Sequence, residues 1–574
     1  MMSEKRENRF VKDLIAQMTL EQKIGAILTL GFAGTVPGSR IYDFVTKYHC
    51  GGLRLSCDTR IFGNYVDPKS NRSVVQVAPK NGVKYATAPV CTASEYKAVL
   101  DDLQAAARKR PLSIPLHFSY DQEGGTSADF SFGGVNLFPK PMGVRAMNDP
   151  KMAYEIALAV SRQSRAVGFN WIHSPVLDVN SDPRNPEIYA RAYSDIAEEV
   201  AEYAEESCRG FQEGRMIATG KHFPGRGHSN VDAHFGVPVI DVDRETMMSR
   251  ELLPYKHLIE KGLLPSIMIA HSIFPAFDSD NIATVSKPIL TGLLRETLGF
   301  DGVITTDSMT MGAVATRYGV ANACAMSLEA GADLVLMKAE NELVEETIAA
   351  IRSFVEDGRI SQEELDKKVY RILDLKYRYG LFFDHNNHEE IPEAVIQDKA
   401  IVNLAKQAAR RSVLIGRDKE GWLPVGKDEK VLVVEQKVKA YNNFQWHSGI
   451  LYENCLKYNP NTVYQETDYT WDEKDKQTVF ERAEEYDTIV VTNYFIRGKL
   501  CNQEAIEELI EKVSAAGKKV IVVTNTPYEE VSIPHNAKCV VITFATSPEN
   551  IKVTAGTLFG EVHPEGVWPT KYHA

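Results

Sequence analysis

Several features that would assign the sequence to a specialised class are missing. Its eight cysteines are scattered, and none forms a Cys-x-x-Cys pair or a zinc-knuckle spacing, which argues against a disulfide framework and a zinc ribbon. No stretch approaches the ~20 apolar residues of a membrane span. The charged N-terminus has no apolar segment typical of a secretory signal. We therefore expect a cytoplasmic protein with reduced thiols that does not bind membranes.

The charge balance excludes another class. Acidic residues outnumber basic ones by 77 to 65, the formal net charge is -12, and no basic stripe is present, so no nucleic-acid partner is expected. We also find no glycine-rich phosphate loop in the second half of the chain and no helical His-x-x-x-His pair. No cofactor is therefore expected, and the oligomeric state is left open.

The 574 residues divide into two predicted α/β domains. Over residues 1–382, about eight apolar strands, among them Ile24 to Phe32 and Asn170 to Val179, alternate with helices, which predicts a (β/α)8 TIM-type barrel. Residues 383–398 form a predicted linker, and residues 399–574 a smaller three-layer α/β sandwich domain. Residues 58–92 fit neither the helix period nor the strand period, which is typical of a binding loop or a lid.

Polar residues follow the predicted barrel strands, as in the active sites of such barrels. The stretch KHFPGRGHSNVDAH, from Lys221 to His234, has three histidines and an aspartate in fourteen residues. Other polar residues stand just after predicted strands elsewhere in the barrel: Asp121, Asp178, His271 and Asp307.

Each of these candidates has a catalytic and an ordinary interpretation. Asp307, after the buried strand of GVITTDSM, suits a nucleophile but equally a helix N-cap. Asp232 and His234, two residues apart, suit a proton-transfer pair near neutral pH or a hydrogen-bonded loop histidine. Lys221 and His222 suit sugar or anion binding, or ordinary surface polarity.

The histidines also permit a metal site. A metal-dependent barrel hydrolase would use ligands such as His222, His228, Asp232, His234 and His271. The absence of a paired His-x-x-x-His or His-x-His motif in the sequence makes this the weaker hypothesis.

A family resemblance rests on motifs that match in order. The sequence resembles glycoside hydrolase family 3, most closely its NagZ-type β-N-acetylglucosaminidase branch. The motifs are DQEGG at Asp121, SPVLDVNSDPRNP from Ser174, KHFPG at Lys221, DAH at Asp232, MIAHSIFPAFD from Met268, ATVS at Ala283, GFDGVITTDSM from Gly299 and AGADLVLM from Ala330.

The resemblance implies roles for particular residues. Asp307 corresponds to the family's nucleophile, and His234 paired with Asp232 to the acid/base of the N-acetylglucosaminidase branch. The residues implied to hold the terminal sugar are Asp121, Arg191, Lys221 and His222. The implied activity is that of a retaining exo-β-N-acetylhexosaminidase, and its partner is a small carbohydrate: a cell-wall muropeptide or a chitin-type oligosaccharide.

Three departures from the family pattern lie near the expected sugar pocket. Asp129 stands where a sugar-contacting arginine is usual, Arg226 and His228 replace a histidine and an aspartate, and Ala192 and Tyr193 replace serine and phenylalanine. They leave open a β-glycosidase for another sugar and a phosphorylase that uses phosphate as acceptor. A non-catalytic sugar-binding protein is disfavoured, because binding alone does not need a nucleophile and a proton-transfer pair together.

Overall fold

The structure is a computed structural model. It describes residues 8–56, 91–125, 127–233, 236–383, 391–436, 449–495 and 501–571, and the backbone of 63–66 and 73–76. Within these ranges, no helix is long and apolar enough to cross a membrane.

Eight parallel strands form the first domain, and they follow one another around a ring in chain order. A parallel bridge between Thr305 and Leu334 joins the last two strands and closes the ring. This confirms the predicted barrel. The strands are Leu28–Ala33 (β1), Gly52–Ser56 (β2), His117–Tyr120 (β3), Trp171–Ile172 (β4), Ile217–Phe223 (β5), Ser266–Ile269 (β6), Val303–Thr306 (β7) and Val335–Met337 (β8).

Helices surround the barrel and connect its strands. Several begin at a side-chain cap; for example, Thr92 and Ser361 each form a capping box with a glutamate three residues later. The main helices of this domain are Arg9–Ile15, Leu20–Ala26, Ser39–Thr46, Ala93–Arg108, Pro141–Ala146, Pro150–Val167, Ala197–Glu213, Leu253–Glu260, Gly312–Tyr318, Val320–Ala330, Leu343–Glu356 and Gln362–Arg378; the segments Met247–Glu251 and Pro288–Thr297 are wound as π-helix.

Two predicted strands differ from the structure. The apolar run from Ile24 to Phe32 was expected to be one strand, but Thr19 caps a helix over Leu20–Ala26, and β1 begins only at Leu28. The predicted strand 170–179 pairs as a ladder only at Trp171–Ile172. Pro175 lies in the remainder, and proline has no N–H to donate to a ladder.

The second domain is a six-stranded sheet covered by helices on both faces. Its strands are Leu414–Asp418 (β9), Val431–Gln436 (β10), Thr462–Thr467 (β11), Thr488–Thr492 (β12), Lys519–Thr524 (β13) and Cys539–Ile542 (β14), in the order β9-β14-β13-β12-β10-β11. Only β9 runs antiparallel to its neighbour. The sheet and its two helical layers confirm the predicted three-layer α/β fold. The helices are Lys399–Ser412, Ile450–Leu456, Glu473–Ala483, Gln503–Ser514 and Pro548–Leu558.

Two segments that the sequence left without regular structure are described in part. Residues 384–390 of the predicted linker lie outside the described residues, and Pro392–Ile396 of the same segment is a short helix. In the 58–92 segment, the backbones of Gly63–Val66 and Ser73–Gln76 pair as an antiparallel hairpin.

Candidate active site

The carboxyl ends of the barrel strands bring the predicted polar residues together. Asp121 directly follows β3, Asp307 directly follows β7, and His271 lies two residues beyond β6. Lys221 and His222 belong to the last part of β5. Because all eight strands are parallel, these residues lie at one end of the barrel, where such folds place their active sites.

A bulge at the end of β5 turns two adjacent side chains into the site. The register pairs Met268 with Lys221 and Ile269 with Phe223, so His222 is skipped. Strand alternation would place Lys221 and His222 on opposite faces, but a bulge re-aims side chains. Both enter the site, and the peptide bond between them is cis.

Asp307 is an electrostatically stabilised carboxylate at the mouth of the barrel. Its Oδ1 accepts from the backbone N–H of Ser308 at 2.7 Å, and its Oδ2 lies 3.7 Å from Arg226 Nη2 and 4.0 Å from His222 Nε2. Burial opposes ionisation, but the fields of His271 and Arg226 and the Ser308 N–H outweigh it and hold the pKa of Asp307 below its ordinary value. The group is therefore ionised at neutral pH.

His222 is held against a second buried carboxylate. Its Nδ1 lies 2.7 Å from Asp178 Oδ2, which also accepts from the His222 backbone N–H. Burial, together with the nearby cations led by Arg226, holds the pKa of His222 well below its ordinary value, and burial raises the pKa of Asp178 to about 6. A neutral ring that donates Nδ1–H to Asp178 would leave Nε2 directed to Asp307.

A network of buried charges lies beside this pair. Lys221 Nζ contacts Asp121 at 2.9 Å and Glu123 at 2.5 Å, and Arg191 grips both oxygens of Glu123 at 2.7 and 2.9 Å. Burial opposes the charge of Glu123, but Arg191 and Lys221 lower its pKa to about 2. The Asp121 side chain is 30% exposed, so its carboxylate is accessible from solvent at the mouth of the barrel.

The loop after β5 is anchored through the backbone of Ala233. Asp232 is buried, the N–H of Ala233 donates to Glu187 Oε2 at 3.2 Å, and the carbonyl of Ala233 accepts from Ala313 at 3.4 Å. His234, the predicted acid/base, lies outside the described residues.

Those histidines proposed as metal ligands that the structure describes have protein partners. His271 has Thr284 Oγ1 at 2.7 Å from Nδ1 and the Ser308 carbonyl at 3.1 Å from Nε2, and His228 Nδ1 lies 3.1 Å from Ser181. Among the residues that the structure describes, no group of three or more His, Cys, Asp or Glu side chains is arranged to hold a metal ion.

Both domains of the chain match one known family. Residues 19–375 match the glycosyl hydrolase family 3 N-terminal domain, and residues 412–574 match the C-terminal domain of the same family. The chain belongs to glycosyl hydrolase family 3. The first match covers the barrel with its polar mouth, and the second covers the smaller sheet domain.

Curated relatives are similar over part of their length. A β-hexosaminidase A from Pseudoalteromonas piscicida is 28% identical over 381 residues, which are 62% of this chain and 61% of the relative. A β-N-acetylglucosaminidase/β-glucosidase from Cellulomonas fimi is 29% identical over 359 residues, 60% of this chain and 61% of the relative. The matched part therefore spans about three fifths of these relatives.

One solved structure is similar over nearly the whole chain. It is a family 3 β-N-acetylglucosaminidase from Paenibacillus sp. str. FPU-7, with a TM-score of 0.82 and 28% identity, and the match covers 96% of this chain and 99% of that one. The two proteins therefore share the same two-domain arrangement over nearly their whole length.

Asp129, which departs from the family pattern, belongs to a largely buried ion pair. Its carboxylate pairs with Arg54 at 2.6 Å and accepts from the backbone N–H of Asp121 at 2.7 Å. Arg54 lies on β2, is fully buried, and also contacts the Asp121 carboxylate. The guanidinium beside Asp121 thus comes from β2.

The other departures differ in their surroundings. Tyr193 points away from the site, because its hydroxyl lies 2.6 Å from Ser207 on the helix Ala197–Glu213. Arg226 points into it, since it contacts both Glu187 and Asp307.

Three charged residues of the site were not singled out from the sequence: Arg54, Glu123 and Glu187. Arg54 was readable in principle, because a lone arginine inside the apolar run GGLRL needs a partner. Glu123 belongs to the DQEGG motif that begins at Asp121, but Glu187 lies in a loop with no periodic signal. Arg226 was named only as a departure from the family motif.

The second domain touches the turn that carries Arg191. Tyr189 stacks edge to face against Phe495, which follows β12, with ring centroids 4.6 Å apart. Its hydroxyl accepts from Lys140 Nζ at 2.6 Å. Tyr189 and Arg191 share one 3-10 turn, so a residue of the sheet domain helps to hold the buried network of charges.

Proposed function

We propose that the protein is a retaining exo-β-N-acetylhexosaminidase that removes terminal N-acetylglucosamine from cell-wall muropeptides or chitin-type oligosaccharides. The observation that carries this proposal is Asp307, a carboxylate kept ionised at the barrel mouth within 4.0 Å of both His222 and Arg226. The names of the curated relatives and of the similar structure support the choice of sugar.

The terminal sugar is held by groups at the mouth of the barrel. The Asp121 carboxylate accepts from sugar hydroxyls, Lys221 donates to them, and His222 presents Nε2 beside the anomeric centre. Arg191 acts through Glu123, which it holds in a bidentate contact. Holding the sugar against Asp307 makes the attack effectively unimolecular.

Cleavage proceeds in two displacements. In the first, Asp307 forms a bond to the anomeric carbon as the bond to the leaving oxygen breaks, and His234 gives its proton to that oxygen. In the second, His234 takes a proton from water, whose oxygen bonds to the anomeric carbon and releases Asp307. Asp232 orients His234. Two inversions give net retention, and no cofactor takes part.

Initial rates on a panel of aryl glycosides test the proposal. The panel is p-nitrophenyl N-acetyl-β-glucosaminide with the matching glucoside, N-acetylgalactosaminide and xyloside, each with and without phosphate. Clear preference for the N-acetylglucosaminide, with the β-anomer of the free sugar as first product by NMR, is the expected result.

Other outcomes assign other functions. Preference for another sugar makes the protein a β-glycosidase of the same branch, and dependence on phosphate with release of a sugar phosphate makes it a phosphorylase. Activity lost on exhaustive chelation would favour the metal-dependent hydrolase. Inactivity on the whole panel contradicts the proposed glycone.

A further inference from the structure

Arg226 is a buried cation with unused hydrogen-bond donors beside the nucleophile. Its side chain is 2% exposed, and Nη2 lies 3.0 Å from Glu187 Oε1 and 3.7 Å from Asp307 Oδ2. Within the described part of the chain, Nε and Nη1 have no hydrogen-bond partner. Nη2 makes both charged contacts, so the hydrogen-bond donors on Nε and Nη1 of the guanidinium are not satisfied.

The backbone holds Arg226 in this position independently of its tip. Its N–H donates to Asp178 Oδ1 at 2.8 Å, and its carbonyl accepts from Asn185 Nδ2 at 3.0 Å. The next residue, Gly227, packs so closely that a Cβ would lie 1.7 Å from the carbonyl oxygen of Val179. The loop is therefore fixed, and the guanidinium is delivered to the site with donors free.

Free donors on a buried guanidinium are unfavourable unless a ligand provides acceptors. Buried polar groups in folded proteins are nearly always hydrogen-bonded, and an exception at a site calls for an explanation. Guanidinium has only donors, so the ligand must offer an oxygen with free lone pairs. An oxygen placed beside Asp307 during the reaction satisfies this requirement.

The position of Asp307 indicates which part of the sugar meets Arg226. A nucleophilic carboxylate bonds to the anomeric carbon through one oxygen, and its region also contacts the substituent at C2, where hydrogen bonds strengthen in the transition state. Arg226 Nη2 is 3.7 Å from Asp307 Oδ2 and therefore lies near that substituent.

We propose that Arg226 determines specificity by donating to the carbonyl oxygen of a 2-acetamido group. The inference rests on the proposed function and names the group that selects the glycone. An acetamido group has one acceptor, its carbonyl, and one donor, its N–H; Arg226 provides the donors, and the adjacent carboxylates of Asp307 and Glu187 provide acceptors. A 2-hydroxyl shares its single oxygen between both roles and fits this pair of donors less well.

The test compares variants on substrates that differ only at C2. R226Q loses the charge and the fork and is shorter, R226K keeps the charge without the fork, and R226Q/E187Q removes both charges of the buried pair. Each is assayed on the 2,4-dinitrophenyl β-glycosides of N-acetylglucosamine, glucose and 2-deoxyglucose, whose leaving group is activated.

The expected result is a selective loss. In R226Q, kcat/KM on the N-acetylglucosaminide falls on the order of 100-fold, the size of one or two lost charged hydrogen bonds. On the 2-deoxyglucoside, which lacks the substituent at C2, the loss is at least about tenfold smaller, because only the effect of Arg226 on the ionisation of Asp307 remains. R226K shows an intermediate loss on the N-acetylglucosaminide, and R226Q/E187Q repeats the R226Q pattern.

Two results overturn the inference, and each differs from failure of the proposed function. Equal losses on all three substrates would mean that Arg226 acts only through the ionisation of Asp307, and the acid limb of the pH profile would then shift upward equally for all of them. If R226Q does not fold, an unchanged ratio of the three substrates in R226K contradicts the inference. A wild-type enzyme that prefers the glucoside contradicts the proposed function itself.

Discussion

The two ends of the barrel both bury charged side chains but satisfy them differently. At the amino end, Lys376 Nζ donates to the carbonyls of Gly51 and Pro115 at 2.6 and 2.8 Å, and Lys368 Nζ donates to that of Ala332 at 2.8 Å. These carbonyls belong to residues that lead into strands. The buried cations at this end are therefore hydrogen-bonded to main-chain carbonyls.

At the carboxyl end the cations meet carboxylates instead. Burial alone would lower the pKa values of Arg54 and Arg191, but Asp121 and Asp129 around the first and Glu123 beside the second raise both. At the amino end, where carbonyls are the partners, burial lowers the pKa of Lys376 to about 7 and that of Lys368 to about 8.

This difference teaches that burial of a charge does not itself mark a functional site. Lys376 and Arg226 are both buried. The ammonium of Lys376 donates to two main-chain carbonyls, whereas two nitrogens of the Arg226 guanidinium have no described partner. Substitutions at the amino end should therefore change stability, and substitutions at the carboxyl end should change turnover.

The largest effect is expected for Asp307→Asn. The carboxamide keeps the volume but removes the proposed nucleophile, so kcat should fall by about ten-thousandfold or more. Stopped and continuous assays with an activated aryl N-acetylglucosaminide measure the loss. The thermal midpoint serves as the control and should stay close to that of the wild type; residual turnover within tenfold of wild type, by order of magnitude, would contradict a nucleophilic role.

Lys376→Met should show the opposite pattern, with lower stability and normal kcat/KM. The pKa of Lys376 is lowered to about 7 in the fold. Between there and its unfolded value the unfolded chain binds more protons, so the wild type gains stability as pH rises, by about 4 kcal/mol from about pH 7 to about pH 10. The variant lacks this gain.

Thermal midpoints of both proteins across that pH range measure the difference. The stability deficit of Lys376→Met should widen with pH. A constant gap would mean that Lys376 has an ordinary pKa in the fold.

Glu251→Gln should give a pH dependence of opposite sign. Burial raises the pKa of Glu251 to about 7 even though Arg250 Nε lies 2.7 Å away. The folded protein therefore binds this proton more tightly than the unfolded chain does. The stability that Glu251 contributes is fully present below its unfolded pKa and is lost as pH rises through its folded pKa. The glutamine variant should match wild type near pH 4 and exceed it by about 3 kcal/mol near pH 8.

The matched measurement is the difference in midpoint between the two proteins at several pH values. If Glu251→Gln is less stable than wild type at the alkaline end, the ion pair with Arg250 outweighs burial and the sign is wrong.

The smallest effect is expected for Phe495→Ala. Loss of the aromatic contact with Tyr189, worth about 1 kcal/mol, should loosen the turn that carries Arg191 and lower kcat/KM a few-fold. Phe495→Leu, which keeps apolar volume, is the control and should lie between alanine and wild type. Full activity in Phe495→Ala would show that the sheet domain does not support the site.

The sequence predicts the barrel well because its signals are local. Strand and helix periods alternate in order, and polar residues follow the strands, so Asp121, Lys221, His222 and Asp307 could be placed at one end before any coordinates. The start of β1 was misplaced, because a capped helix and a strand share one apolar run from Ile24 to Phe32.

The rest depends on distance in space, which one sequence does not encode. Arg54 and Asp129 are 75 positions apart, yet they pair at 2.6 Å beside Asp121. Arg226 looked like a departure from a motif, and only its contacts with Glu187 and Asp307 reveal what it faces. The roles of Asp232 and His234 stay predictions.

Trapping the glycosyl-enzyme tests the central claim most directly. Wild-type protein incubated with a 5-fluoro-N-acetyl-β-glucosaminyl fluoride, which slows release of the intermediate, would be examined by intact mass and peptide mapping. We predict one sugar per chain, attached to Asp307 and absent from Asp307→Asn. An adduct on another carboxylate, or active enzyme that shows no adduct while it turns over the reagent, would contradict Asp307 as the nucleophile.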